Sequence, residues 1–449
     1  MVEAASRTRD LHHLSAVDAA QAIREGRLSS ETLVQACLDQ IGDDPFKAWV
    51  YLNPDIALVQ AREMDRIRKA GKATGALHGV PVALKDIIDT RFMPTERGSS
   101  IFADRKPEVD AYIVNRLREA GAVIMGKTKT TELAFVHPTD TTNPHDSTRS
   151  PGGSSSGSAA AVAAHHVPLA VGSQTGGSVI RPASYCGIYG FKPSRGIISR
   201  AGVLPTSETL DHLGTFARNL EDIALLTNVL SSYDPADESS FARPRPDLLT
   251  GARAQAPVEP DIAFFEFPFH DRLAADAREG LNAVIDALGP RVTRLPVSDS
   301  LSGLIEVHLT IHEYEFCQQM AETIDGHWEA LSDSLKTVIT RGRAITRDQY
   351  DDAQTVRATA EEFCAKHFND FDAILAPSAT GEAPLFASGE TGDPVFCRIW
   401  SLTGLPALNI PLLVGENDLP IGVQLIGGSE EDDRLMRTAA WVQRALQDA

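Results

Sequence analysis

Cysteine is scarce in this chain. Five occur among 449 residues, at Cys37, Cys186, Cys317, Cys364 and Cys397, with no C-x-x-C pair. An odd, scattered set excludes a disulfide framework and a structural zinc site, and it fits a reducing, cytoplasmic setting. Long apolar runs are missing too. No stretch of about 18 apolar residues exists, which excludes a membrane-spanning helix. The opening "MVEAASRTRDLHHLSAVDAA" has no apolar segment, so no secretory leader is expected. Basic residues are outnumbered, 42 against 61 acidic ones, for a net charge of −19. That balance argues against nucleic acid or an anionic membrane as partner and leaves small, neutral molecules.

What is present is an alternation of strand and helix patterns. "SAVDAAQAIREG" (15–26) and "SSETLVQACLDQIG" (29–42) read as serine-capped helices that stop at glycine. "GVPVALKDIIDT" (79–90) and "AVIMGKT" (122–128) read as buried strands around a helix at 110–121. "SAAAVAAHH" (158–166) reads as a small-residue helix and "VPLAVGSQT" (167–175) as a strand. "GIYGFKPSRGIIS" (187–199) reads as two short strands, and 219–232 as a helix. The segment 233–260 is rich in Pro, Ala and Arg and predicts a surface loop or linker. Beyond it come a β-α-β unit (261–297), a mainly helical stretch (303–370), a strand (372–378), two strands (407–428) and a closing helix (430–446). The order predicts an α/β fold in one large domain over 1–449, with a variable linker and helical region at about 233–400.

Two Gly/Ser loops interrupt this pattern, "PGGSSSGS" (151–158) and "GSQTGGS" (172–178). Such stretches are poor core material, so either the chain is flexible there or its backbone takes unusual shapes. Successive N–H groups in the second loop can form an anion-binding nest. A nucleotide phosphate would require G-x-x-x-x-G-K-[ST], which is absent. The other anion is the oxyanion of acyl transfer, with Ser178 as nucleophile beside it. "GSSSG" also satisfies G-x-S-x-G at Ser155, but the strand that this elbow needs does not precede it. A serine nucleophile needs a base. Lys85 lies among apolar residues in "VPVALKDIID", where burial would lower its pKa. The alternative is a salt bridge to Asp86 or Asp89.

These motifs resemble the amidase signature family, serine hydrolases with a Ser–cis-Ser–Lys triad. The pattern G-G-S-S-G-G-S is matched by "GGSSSGS" (152–158). G-[ST]-[DQ]-x-G-G-S-[IV]-R-x-P-A is matched by "GSQTGGSVIRPA", allowing one extra Ile before Arg181. "CGIYGFKPSRG", "LDHLGTFAR", the lysine strand and "GLPALNIPL…LPIGVQLIGG" are similar to the family as well, and a core of about 75–220 carries the motifs. The resemblance implies a mixed central β-sheet covered by helices on both faces. It implies Ser178 as nucleophile, Ser154 (24 positions upstream) as bridging serine and Lys85 as base. It implies an oxyanion hole from the N–H groups of Thr175, Gly176, Gly177 and Ser178, and a cis Gly153–Ser154 peptide. Ser155 and Ser173 are expected to support the network, and Arg181 and Asp211 to form a buried pair beneath it. Ser156 departs from the family's glycine, and serine tolerates positive φ poorly.

The implied activity is hydrolysis of a small-molecule amide, with aryl amides, aliphatic amides, carbamates and esters all open. No metal or organic cofactor is expected, and the family leaves room for a homodimer. The glutaminase component of a tRNA-dependent amidotransferase shares the motifs, and a non-catalytic scaffold is the third reading. Elsewhere, His308, His312 and Glu315 have a spacing that could hold a metal but lack H-E-x-x-H order, so solvated or substrate-lining roles are expected. His165 and His166 suit a helix C-terminus. Cys186 suits a packed position, and Trp400 an acyl pocket or the core.

Overall fold

The β-branched and apolar runs assemble into one sheet. The computed structural model describes residues 10–296 and 301–447. Among these, eleven strands occur: β1 (Trp49–Leu52), β2 (Pro81–Lys85), β3 (Val123–Thr128), β4 (Leu169–Gln174), β5 (Tyr189–Lys192), β6 (His212–Ala217), β7 (Ile262–Phe265), β8 (Val292–Leu295), β9 (Ala373–Pro377), β10 (Ala407–Val414) and β11 (Pro420–Ile426). Their spatial order is β1-β3-β2-β4-β6-β5-β10-β11-β9-β7-β8. The sheet is mixed. β3, β2 and β4 run parallel, as do β9, β7 and β8, and antiparallel pairs join the two groups. Every residue of β2, β3, β4, β5, β6, β7 and β9 is buried, so side chains on both faces are covered. Helices supply that cover, including Pro54–Lys69 against β3, Ser156–Ala163 against β2, β3 and β4, and Ile180–Tyr185 against β5, β10 and β11. This is the mixed, helix-flanked α/β architecture expected.

Local signals hold where they are strong. Ser15 and Ser29 accept the N–H of Asp18 and Thr32 at their helix starts, and Gly42 ends the second helix at φ 50°. Three readings need correction. The segment 187–199 holds one strand, not two, because Ser194 is tied to Asp432 and Ile198 makes only an isolated bridge to Ser231. The segment 233–260 is not a free linker. Asp234 and Asp237 are buried on Ser199 and Arg200, and a helix at Leu248–Arg253, capped by Asp247, packs against the closing helix Asp432–Gln447. The sequence reading also left out β1 and the helix Pro54–Lys69, which Asn53 caps and Pro54 starts. Residue 297, the end of the expected strand at 291–297, lies outside the described residues.

Candidate active site

β2 and β4 are parallel neighbours, with Leu84 opposite Val171, so their C-terminal ends emerge on one edge. That edge is where open α/β sheets place ligands. It brings Lys85, the last residue of β2, to Ser173 near the end of β4. Lys85 Nζ donates to Ser154 Oγ at 2.7 Å and to Ser173 Oγ at 2.8 Å. Burial lowers its pKa from 10.5 to about 7, with Asp211 opposing the shift. The salt-bridge alternative fails. Asp86 stands 3.5 Å from Lys127, and Asp89 takes both terminal nitrogens of Arg105 at 2.7 Å. Alternation along a strand turns adjacent residues to opposite faces, which separates Lys85 from Asp86.

Burial alone does not single out Lys85. Lys127 and Lys192 are equally buried, and burial lowers them to about 8 and about 7. Their partners differ. Lys127 is bonded to Ile88 O and Thr95 Oγ1 beside Asp86, and Lys192 to Leu405 O. Both are structural fasteners. Lys85 alone of the three is held by serine hydroxyls only.

The two Gly/Ser loops lie against each other here. Ser155 Oγ donates to Ser173 O at 3.2 Å and accepts from Ser173 N at 3.3 Å. Gly172 makes this approach possible, since a Cβ there would lie 2.6 Å from Ser155 Oγ and 2.7 Å from Phe216. Gly172→Ala is therefore expected to destabilise the fold by about 1–3 kcal/mol, as overpacking does, and to reduce activity by displacing Ser155. Thermal unfolding and kcat measure the two effects. The Gly153–Ser154 peptide is cis. Ser156 opens the helix Ser156–Ala163 with ordinary φ, and its hydroxyl donates to Gly152 O at 2.7 Å. The left-handed residue is Gly152, at φ 85°, so serine at 156 is unstrained.

At the turn after β4, Gln174 Oε1 accepts the N–H groups of Val179 and Ile180, capping the helix Ile180–Tyr185. The N–H groups of Thr175, Gly176, Gly177 and Ser178 have no acceptor among the described residues. They border a cavity of about 130 Å³ that Ser178 and Arg181 also line. Ser178 is half-buried, and its hydroxyl has no hydrogen-bond partner among the described residues. The structure thus joins Lys85, Ser154 and Ser173, while Ser178 is not bonded to Ser154. A larger cavity, about 430 Å³, lies on the Ser173 and Asp211 side and does not reach Ser178.

Arg181 and Asp211 are not a pair, contrary to expectation. Arg181 Nη2 donates to Gly153 O at 2.6 Å and Thr391 Oγ1 at 3.3 Å. Asp211 accepts from Thr175 Oγ1, from Thr206 through both N–H and Oγ1, and from Ser207 N, so it steadies the nest through Thr175. Nor does "GSQTGGSVIRPA" contain an extra residue. Its twelve positions equal the pattern's, so Ile180 stands where the pattern has arginine and Arg181 follows one step later. One step turns a helical side chain by about 100°, and Arg181 faces the cavity beside Ser178.

The family model described as Amidase matches residues 32–436. The chain belongs to the amidase signature family. It is 34% identical over 477 residues to a glutamyl-tRNA(Gln) amidotransferase subunit from Chloroflexus aurantiacus, covering 97% of both chains. Among solved structures it is similar to a protein from a vestigial complex bearing on the origins of an s-triazine catabolic enzyme. That likeness has a TM-score of 0.89 at 28% identity, over 96% of this chain and 98% of the other. The corresponding glutamyl-tRNA(Gln) amidotransferase subunit of Thermotoga maritima superposes with a TM-score of 0.79 at 27% identity, over 96% and 94%.

Within this amidase the remaining candidates find other roles. Glu315 is occupied by Ser207, Thr209, Tyr350 and Gln354, which pin its helix to the 206–210 loop. His308 Nε2 donates to Thr175 O at 2.9 Å, and its Nδ1 accepts from Arg398 at 3.0 Å. His312 stacks on Phe135 at 4.3 Å and lines the Ser178 cavity. No group of three potential metal ligands occurs among the described residues. His166 accepts from Trp49 Nε1, Cys186 is buried with its thiol pushed up by burial, and Trp400 is buried outside the cavity lining. No helix of the described residues is long and apolar enough to cross a membrane. Sequence reasoning missed the segment 131–137. Thr131 N donates to Ser154 O at 3.2 Å, and Leu133 and Ala134 take positive φ (48° and 59°), a region L residues adopt uncommonly. "TELAFVH" (131–137) carries no glycine to announce that turn.

Proposed function

We propose that this amidase hydrolyses a compact small-molecule amide through an acyl-enzyme on Ser178. The observation that carries the reading is a buried lysine held by two serine hydroxyls and no carboxylate. Neutral Lys85 takes the proton of Ser154 as Ser154 takes that of Ser178. Ser178 Oγ bonds to the amide carbon, and the carbonyl electron pair moves to oxygen, facing the free N–H groups of Thr175 to Ser178. When the C–N bond breaks, the proton returns through Ser154 to the leaving nitrogen. Water then repeats the sequence and releases the acid. The Ser154–Ser178 contact closes as substrate seats, as catalytic hydrogen bonds commonly tighten only in the complex. Gly153, Ser155 and Ser173 hold Ser154 and Lys85 in place, and Asp211 steadies the nest through Thr175. The cavity of about 130 Å³ favours a group of few heavy atoms. Carbamates and esters of that size fit the same chemistry, no cofactor enters it, and a cytoplasmic, homodimeric enzyme accords with the reading.

The pH profile tests the base. Lys85 is active when neutral, so kcat/KM is expected to rise about tenfold per unit below its pKa of about 7 and to level above it. A rate flat from pH 5 to pH 8 would remove Lys85 from the mechanism. A panel of small nitroanilide, carbamate and ester substrates reads the acyl preference.

A second reading rests on the 34% identity to a glutamyl-tRNA(Gln) amidotransferase component. In it the chain hydrolyses glutamine for a partner protein. Glutamine turnover that appears only when a second protein is added would favour it.

A further inference from the structure

The protein as a whole is strongly acidic, yet the cavity beside Ser178 is not. Three guanidinium groups line it, from Arg181, Arg341 and Arg398. Arg341 is neutralised by Glu313, which accepts from its Nε and Nη2. Neither Arg181 nor Arg398 forms an ion pair with a carboxylate among the described residues. Burial lowers the pKa of both, and Asp393, which opposes that shift, is itself taken up by Arg272 at 2.9 Å and by the N–H of Val395.

The donors that remain converge on the cavity. His308 Nδ1 is the single acceptor of Arg398 among the described residues, and it engages Nη1 only. Because that nitrogen accepts while Nε2 donates to Thr175 O, the His308 ring is neutral and adds no charge of its own. Burial and Arg398 hold its pKa down to about 3. Arg181 Nε and His312 Nε2 are buried with no partner among the described residues. A Cβ built on Gly176 would lie 4.0 Å from Arg398 Nη1, which sets the guanidinium against the nest itself. Buried cations without a counter-ion are costly, and an arriving anion offsets that cost. Planar guanidinium donors match a carboxylate in shape and in charge.

We propose that this cavity recognises an amide that also carries a carboxylate, with Arg398 as its principal partner and Arg181 and His312 beside it. The proposal deepens the amide-hydrolase reading and rests on it for the role of Ser178. It reverses the expectation of a neutral substrate that net charge suggests, because the local cavity and not the overall charge meets the ligand.

The test uses matched pairs of equal length: succinamate with butyramide, and glutaramate with valeramide. Binding is measured by calorimetry on the Ser178→Ala protein, which needs no turnover. The carboxylated member of at least one pair is expected to bind at least about tenfold tighter, and Arg398→Gln in that background to abolish the preference. In the otherwise unaltered enzyme, Arg398→Gln is expected to lower the ratio of kcat/KM between charged and uncharged members by about 100-fold. Arg398→Lys should restore part of it. Equal binding within both pairs overturns the proposal. So does a uniform loss of rate with the ratio unchanged, which would make Arg398 a holder of His308 and the nest only. Absence of any hydrolysis, together with no fluorophosphonate labelling of Ser178, would sink the hydrolase reading instead, and the binding preference would still decide the anion site.

Discussion

Replacing Lys85 with methionine is expected to remove amide hydrolysis by about 1,000-fold or more while leaving the protein at least as stable. The loss of rate follows from the base: no other group among the described residues donates to Ser154 Oγ, and general-base contributions run to about 10²–10⁴-fold. The gain in stability follows from linkage. The amine titrates at about 7 in the folded chain against 10.5 for a free lysine. Between those values the unfolded chain binds more protons, so the wild-type protein gains stability as pH rises through the window. Below pH 7 the full penalty of a buried ammonium is present, and above 10.5 it vanishes. Methionine carries no such penalty, although it leaves two serine hydroxyls short of a partner at about 1 kcal/mol each. The expected balance is about 1–2 kcal/mol in favour of Lys85→Met at pH 7, shrinking toward pH 10. Urea midpoints at several pH values measure it. An advantage that does not change with pH would show that Lys85 is not the buried amine described here.

Ser178→Ala is expected to lower kcat by about 10⁵-fold, the scale on which nucleophile deletions fall in acyl-transfer enzymes. It should also abolish fluorophosphonate labelling. Stability should move by no more than about 0.5 kcal/mol, because the hydroxyl is half-buried and unpartnered among the described residues. Ser154→Ala is the informative contrast. Its nucleophile remains, so labelling should persist but slow, by about 100-fold or more. If Ser154→Ala labels at the wild-type rate, proton transfer does not run through Ser154. If Ser178→Ala still labels, the nucleophile lies elsewhere, and Ser155 is the next hydroxyl to examine.

The parts of this fold that could be read from sequence are those where local chemistry and tertiary structure agree. Serine caps, glycine stops and β-branched runs marked helices and strands within a few residues, because each depends on neighbours along the chain. β1 is a strand of four residues, too short to show a period. The segment 233–260 has a linker's composition, yet its buried aspartates are held by Ser199 and Arg200. The mispairing of Arg181 with Asp211 has the same origin, since spacing says nothing about which way a helix turns a side chain.

By itself the sequence determined the family, the two loops of small residues and the lysine on the strand before them, because those features are local and their lengths admit no slack. Only the tertiary structure decided which of three buried lysines meets serine hydroxyls, since all three are desolvated alike and differ solely in what lies across the sheet. It decided too that Arg398 and His308, 90 positions apart, frame the nest. Charge in a cavity is set by which groups fold together, and no count of residues along the chain contains that information.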